Sequence, residues 1–221
     1  MVPRRIKTMF ADTVPPTGEV ETIRGATGII LAGGKNVRLR MNKLSLRVGG
    51  ELIIEHLVKL FNQLFEDTIL SVGRKDRVRI QDCTTVRDEF PGSLGGIYSG
   101  LSAARTHAVF VAACDMPFIN PELVRYQASF MWQHDVVIPR TTAGLEPLHA
   151  FYSKNCLKHM RAQLFGNRLT IREFFDTVWV KEIGPDEITR FDSDGLSFFN
   201  INTRADLRKA EEIHRWMTTR S

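Results

Sequence analysis

At 221 residues, with 43% hydrophobic and 25% charged positions, the chain is long enough for one globular α/β domain with a substantial core. The formal net charge of +5 suits an anionic small substrate, while the absence of Arg-rich helices, aromatic–basic interleaving and zinc-finger spacing argues against nucleic acid as the partner. No apolar stretch approaches the length of a membrane helix, which argues against a membrane partner.

Residues 1–24 contain Pro3, Pro15, Pro16 and Gly18, together with Arg4, Arg5 and Lys7. They lack the apolar segment of a secretory signal and read as a flexible extension ahead of a single domain, residues 25–221. Cys83, Cys114 and Cys156 are an odd, widely spaced set without a C-x-x-C pair. They indicate neither a disulfide framework nor a zinc site, and the expected location is the reducing cytoplasm.

The apolar run at 29–31 predicts a buried strand. It stops at Gly33-Gly34 and opens into a loop bearing Lys35, Arg38, Arg40 and Lys43. Backbone without Cβ atoms can approach a phosphate closely, and cationic side chains can neutralise it, so this is a candidate nucleotide site at the carboxyl edge of a sheet. The spacing matches neither G-x-x-x-x-G-K-[ST] nor G-x-G-x-x-G. A helical stripe follows at 51–65, then strands at 68–72 and 84–86. A small-residue helix is expected at 94–105, packed closely on the sheet. The continuously apolar 108–113 predicts a strand covered on both faces. Asn120 and Pro121 open a helix to 133 as N-cap and first residue. Strands at 135–139 and 148–152, helices at 154–165 and 169–175, a strand at 178–183 and a helix capped by Thr203 complete the pattern. The alternation implies right-handed βαβ units and a three-layer, Rossmann-like α/β fold, mostly parallel, with helices on both faces.

Five segments in order carry a more specific signal. They are 31–43; 90–101 (Phe90-Pro91-Gly92 through Gly100-Leu101); 109–118, ending Cys114-Asp115-Met116-Pro117; 146–150 (Glu146-Pro147-Leu148-His149-Ala150); and 197–203 (Phe199-Asn200-Ile201-Asn202-Thr203). Over residues 27–215 the chain resembles the MobA-like nucleotidyltransferases, most closely those that guanylylate molybdenum cofactor. Asn36, Arg40 and Asn42 depart from the family pattern, and Gly73 stands where some members carry an asparagine that contacts nucleotide.

The resemblance implies the nucleotide-diphospho-sugar transferase type of fold, with a nucleotide half at about 25–140 and a pterin half at about 141–221. It implies GMP transfer from Mg-GTP to the terminal phosphate of molybdopterin or its molybdenum-loaded form, with pyrophosphate released. Lys43, Asp115 and Arg38 are the implied catalytic residues. Leu31, Ala32, Gly33, Gly34, Lys43, Asp88 and Asp115 would bind nucleotide, Asp115 would also hold Mg²⁺, and Glu146, His149, Asn200 and Asn202 would face the pterin. Other cofactor-biosynthesis proteins and molybdoenzyme chaperones are implied as further partners. From the residues alone, Asp115 could instead cap the helix at Pro121, and Asn200 with Asn202 could cap the last helix. Two other readings of the whole chain stay open: a cytidylyl-, sugar- or isoprenoid-nucleotidyltransferase of the same fold, and a non-catalytic cofactor-binding module.

Overall fold

The computed structural model describes residues 21–33, 43–76 and 78–219. Its centre is β1 (Ile23–Leu31), which pairs in parallel with β4 (Phe65–Val72) on one side and β6 (Ala108–Ala113) on the other. β1 is much longer than the apolar run at 29–31, and it absorbs Ile23 and Arg24 from the expected extension. The extra length is made from residues with little side-chain signal. Thr27 buries its hydroxyl against that of Thr106 at 2.8 Å, and Gly28 leaves room for the rings of Phe61 and Phe65.

Beyond β4 lies β5 (Thr84–Arg87), again parallel. Beyond β6 lies β9 (His149–Ser153), which runs antiparallel to β6 and to β7 (Val136–Thr141). β10 (Val180–Ile183) then adds in parallel to β7, giving the order β10-β7-β9-β6-β1-β4-β5. A short strand, β8 (Gly144–Leu145), folds back on the end of β7. The mostly parallel sheet is as the sequence pattern implies.

Period-two alternation sends successive side chains to opposite faces, and the core divides accordingly. Ile30, Leu70, Phe110, Ala112 and Phe151 pack on one face against α1 (Ile53–Leu64), α3 (Pro121–Ala128) and Ala210 of α6 (Arg204–Thr218). Ile29, Ile69, Val109, Val111 and Tyr152 pack on the other against α2 (Gly92–Ala103), α4 (Cys156–Phe165) and a 3-10 segment, Ile171–Thr177.

Three elements differ from the sequence expectation. Glu51 and Leu52 form a strand rather than the start of a helix, pairing with Arg47–Val48 in a hairpin. Gly49 and Gly50 turn it with φ of 62° and 83°, the paired positive angles of a tight two-residue turn. α3 ends at Ala128, five residues before 133, and short turns complete that stretch. The expected helix at 169–175 is the 3-10 segment. Asn120 caps α3 as its sequence predicts, accepting from Glu122 N and Leu123 N at 2.8 and 3.1 Å.

Candidate active site

Parallel strands place their carboxyl ends along one edge, and the expected residues gather there. β1 runs out through Ala32 and Gly33, held laterally by Ala32 N donating to Ser71 O at 2.8 Å and Cys114 N donating to Leu31 O at 3.0 Å. These bonds bring the end of β1 beside the ends of β4 and β6. Leu31 and Ala32 are buried, so what they can offer a ligand is mainly backbone.

Asp115 follows β6 directly and is 2% exposed. Its Oδ2 accepts a hydrogen bond from Lys43 Nζ at 2.6 Å, across 72 residues of sequence. Lys43 opens a 3-10 turn, Lys43–Ser45, at the far end of the basic loop. The other oxygen, Oδ1, is buried without a hydrogen-bond partner among the described residues. A capping role for Asp115 is removed by Asn120, which occupies that position on α3. The Asp115 backbone carbonyl accepts from Ile201 N at 3.0 Å, which draws the 200–202 segment to the same edge.

A second carboxylate sits on the opposite flank. Asp88 N donates to Val72 O at 2.9 Å, fixing the residue beyond β5 at the end of β4. Its Oδ1 accepts from the Ser71 hydroxyl. A Cβ on Gly33 would lie 3.0 Å from Asp88 Oδ2, and one on Gly96 would lie 3.0 Å from Ser71 Oγ. Glycine at these positions therefore leaves the hollow around the carboxylate open. Burial pushes the Asp88 carboxyl up to about 6, with the nearby Asp76 adding to the rise and the Ser71 bond opposing it. Ser71 and Asp76 escape a sequence reading, because their part in the site arises from where β4 ends and turns; Gly96, within the 90–101 segment, reaches the site through the packing of α2. The available signal for Ser71 is a hydroxyl in an otherwise apolar strand end.

Of the residues expected to face the second substrate, Glu146 is half-buried and accepts from the Thr141 hydroxyl at 2.9 Å, near the end of β7. Asn200 donates from Nδ2 to Phe198 O at 3.0 Å. Thr203 and Asp206 form the capping box of α6, and Asn202 joins it through its backbone N–H at 3.0 Å from Asp206. The asparagine side chains are therefore not the caps of that helix. His149 departs from its expected place facing the pterin. It shares the Phe151 face of β9, is fully buried, and lies 5.0 Å from the rings of both Phe110 and Phe198. Burial lowers its pKa to about 4, so the ring is neutral, and both ring nitrogens lie buried without a hydrogen-bond partner among the described residues. Gly34 and Arg38, with Asn36, Arg40 and Asn42, lie outside the described residues.

The donor set fits a hard divalent ion in a particular way. Among the described residues there is no group of three or more His, Cys, Asp or Glu that could form a protein cage. A magnesium ion here would take Asp115, with its orphaned oxygen, and draw its remaining ligands from substrate phosphates and water, the usual arrangement for this ion.

Residues 28–178 match the model of the MobA-like NTP transferase domain, a span that holds Lys43, Asp88 and Asp115. The chain belongs to that family. A protein of Pelotomaculum thermopropionicum named as a probable molybdenum cofactor guanylyltransferase is 36% identical over 84% of this chain and 91% of its own length. A molybdenum cofactor guanylyltransferase of Desulfosudis oleivorans is 32% identical over 84% of this chain and 94% of its own. Among solved structures, molybdopterin-guanine dinucleotide biosynthesis protein A of Archaeoglobus fulgidus superimposes with a TM-score of 0.75 at 26% identity, over 86% of this chain and 98% of its own.

Proposed function

We propose that the protein is a molybdenum cofactor guanylyltransferase, transferring GMP from GTP to the terminal phosphate of molybdopterin or its molybdenum-loaded form. The observation that carries this reading is the Lys43–Asp115 pair at the carboxyl edge, inside the family match and beside the glycine end of β1.

An acceptor phosphate oxygen attacks the α-phosphorus of GTP, the bond from that phosphorus to the bridging oxygen breaks, and pyrophosphate leaves. The nucleophile is already anionic at neutral pH, so the reaction needs no general base. The protein's task is to align two anions and offset their repulsion. Lys43 supplies a mobile positive charge to the phosphates, and the Ala32–Gly33 backbone allows close approach. Asp88 accepts from donor groups of the nucleotide. Asp115 would hold Mg²⁺, which supplies charge neutralisation on the phosphates. Arg38 adds a forked cation from the loop. Glu146, Asn200 and Asn202 offer donors and acceptors suited to a pterin edge.

Nucleotide thus occupies the half up to about residue 140, and the acceptor lies over the remainder. No helix among the described residues is long and apolar enough to cross a membrane. We place the reaction in the cytoplasm, where a reduced pterin and free thiols persist.

The test is pyrophosphate release by purified protein with Mg²⁺, molybdopterin, and GTP, CTP or ATP in parallel. Release with GTP alone is expected. Release with CTP alone would make the protein a cytidylyltransferase, and release with none, in protein that binds GTP, would make it a non-catalytic module.

A further inference from the structure

Asp115 already has one cation beside it, and its carboxylate is also what a divalent ion would need. Being 2% exposed, it requires a positive partner even before any ligand arrives. Lys43 is that partner at 2.6 Å on Oδ2, while Oδ1 receives no hydrogen bond from the described residues. The Lys43 side chain is 22% exposed, and its ammonium ends a flexible four-carbon stem, so it can re-aim toward an anion entering from solvent.

We infer that the Lys43–Asp115 pair is a counterion gate: Lys43 keeps divalent metal off Asp115 until nucleotide phosphates draw the ammonium away. This rests on the nucleotidyl-transfer reading above and adds an order of loading to it. An ammonium at hydrogen-bond distance cancels the field that would attract a divalent ion and repels that ion directly. A triphosphate offers Lys43 more negative charge than one carboxylate does, so the lysine exchanges partners and Asp115 is released to the metal. The coupling is reciprocal: phosphate must raise metal affinity by the factor with which metal raises phosphate affinity. Metal and nucleotide therefore enter together, and free metal alone leaves the site closed.

The experiment is Mn²⁺ binding to nucleotide-free protein, followed by the EPR signal of the free ion. Wild type is compared with Lys43→Met and Lys43→Gln, two neutral side chains of different polarity, with folding checked by circular dichroism. Both should bind Mn²⁺ more tightly than wild type, by about tenfold or more. Lys43→Arg should stay as weak as wild type, and adding Asp115→Asn to Lys43→Met should abolish the gain. Affinity that is unchanged or lower in the folded neutral variants overturns the gate, as does a gain that survives Asp115→Asn. Pyrophosphate release by wild type with GTP, Mg²⁺ and molybdopterin is measured alongside. Its absence would withdraw the transfer reading without deciding the Mn²⁺ comparison, whereas tight Mn²⁺ binding by an active wild type would withdraw the gate alone.

Discussion

Lys43 and Asp115 are coupled strongly enough that neither should be substituted without consequence for the other. Lys43→Ala is expected to lower kcat/KM about a hundredfold, roughly 3 kcal/mol of transition-state stabilisation. It also strands a buried carboxylate, an effect of about 3 kcal/mol when a buried pair is broken. Asp115→Asn in the same chain should recover much of the stability but none of the activity, a split that urea titration and steady-state kinetics would reveal. Asp88 gives a pH signature. Its native pKa of about 6 stands above the ordinary value of 3.8, so the native state holds a proton that the unfolded chain releases. Stability contributed by that proton is full below 3.8 and is lost as pH rises through about 6. Nucleotide binding runs the other way, because the accepting carboxylate must be ionised. Affinity for GTP should strengthen between pH 5 and 7, in a profile centred near 6, and Asp88→Asn should flatten it. Ser71→Ala, which removes a bond that favours the carboxylate, should move the midpoint upward. Asp115 was legible in sequence as a carboxylate ending a buried strand, and Lys43 as a cation after two glycines. Their pairing was not, because 72 residues separate them. His149 was misplaced for a related reason: a motif names a residue without saying which face of its strand it occupies.

Elements with a strong periodic signal were read closely, and those built on tertiary fit were not. The apolar run at 108–113 coincides with β6, since burial on both faces leaves no polar position to blur it. The short strand Glu51–Leu52 was read as the start of a helix because Leu52 precedes Ile53 and Leu57 in a helical stripe; Gly49-Gly50 was the overlooked turn signal. α2 shows how closely such elements can be fitted. A Cβ on Gly100 would stand 2.5 Å from Ile29 Cδ1, so Gly100→Ala should cost about 1–3 kcal/mol by forcing the helix off β1. The far end of α2 is closed by Lys154, whose ammonium donates to Leu101 O and Ala104 O at 2.5 Å each. Lys154→Met keeps the stem and removes the donors, and denaturant midpoints should register a loss of about 1–3 kcal/mol.

At the scale of the molecule, the mostly parallel sheet followed from the βαβ alternation, while the antiparallel entry of β9 did not, because strand direction is invisible in an apolar run. If nucleotide binds the native state alone, GTP with Mg²⁺ at about a hundred times its Kd should stabilise the fold by about 2.7 kcal/mol. Calorimetric scans with GTP, CTP and Mg²⁺ alone would show this, the last giving little shift. The hydrogen bond from Ile201 to the Asp115 carbonyl has a bearing on how the molecule is made. Translation proceeds at about 5–20 residues per second, so several seconds separate the emergence of these two partners. Throughout that interval a nascent chain can already hold its central strands, yet the aspartate at their edge lacks its brace. The ribosome thus delivers the scaffold first and the geometry of the candidate site late, so a message cut before codon 201 would yield a chain with its strands and without that brace.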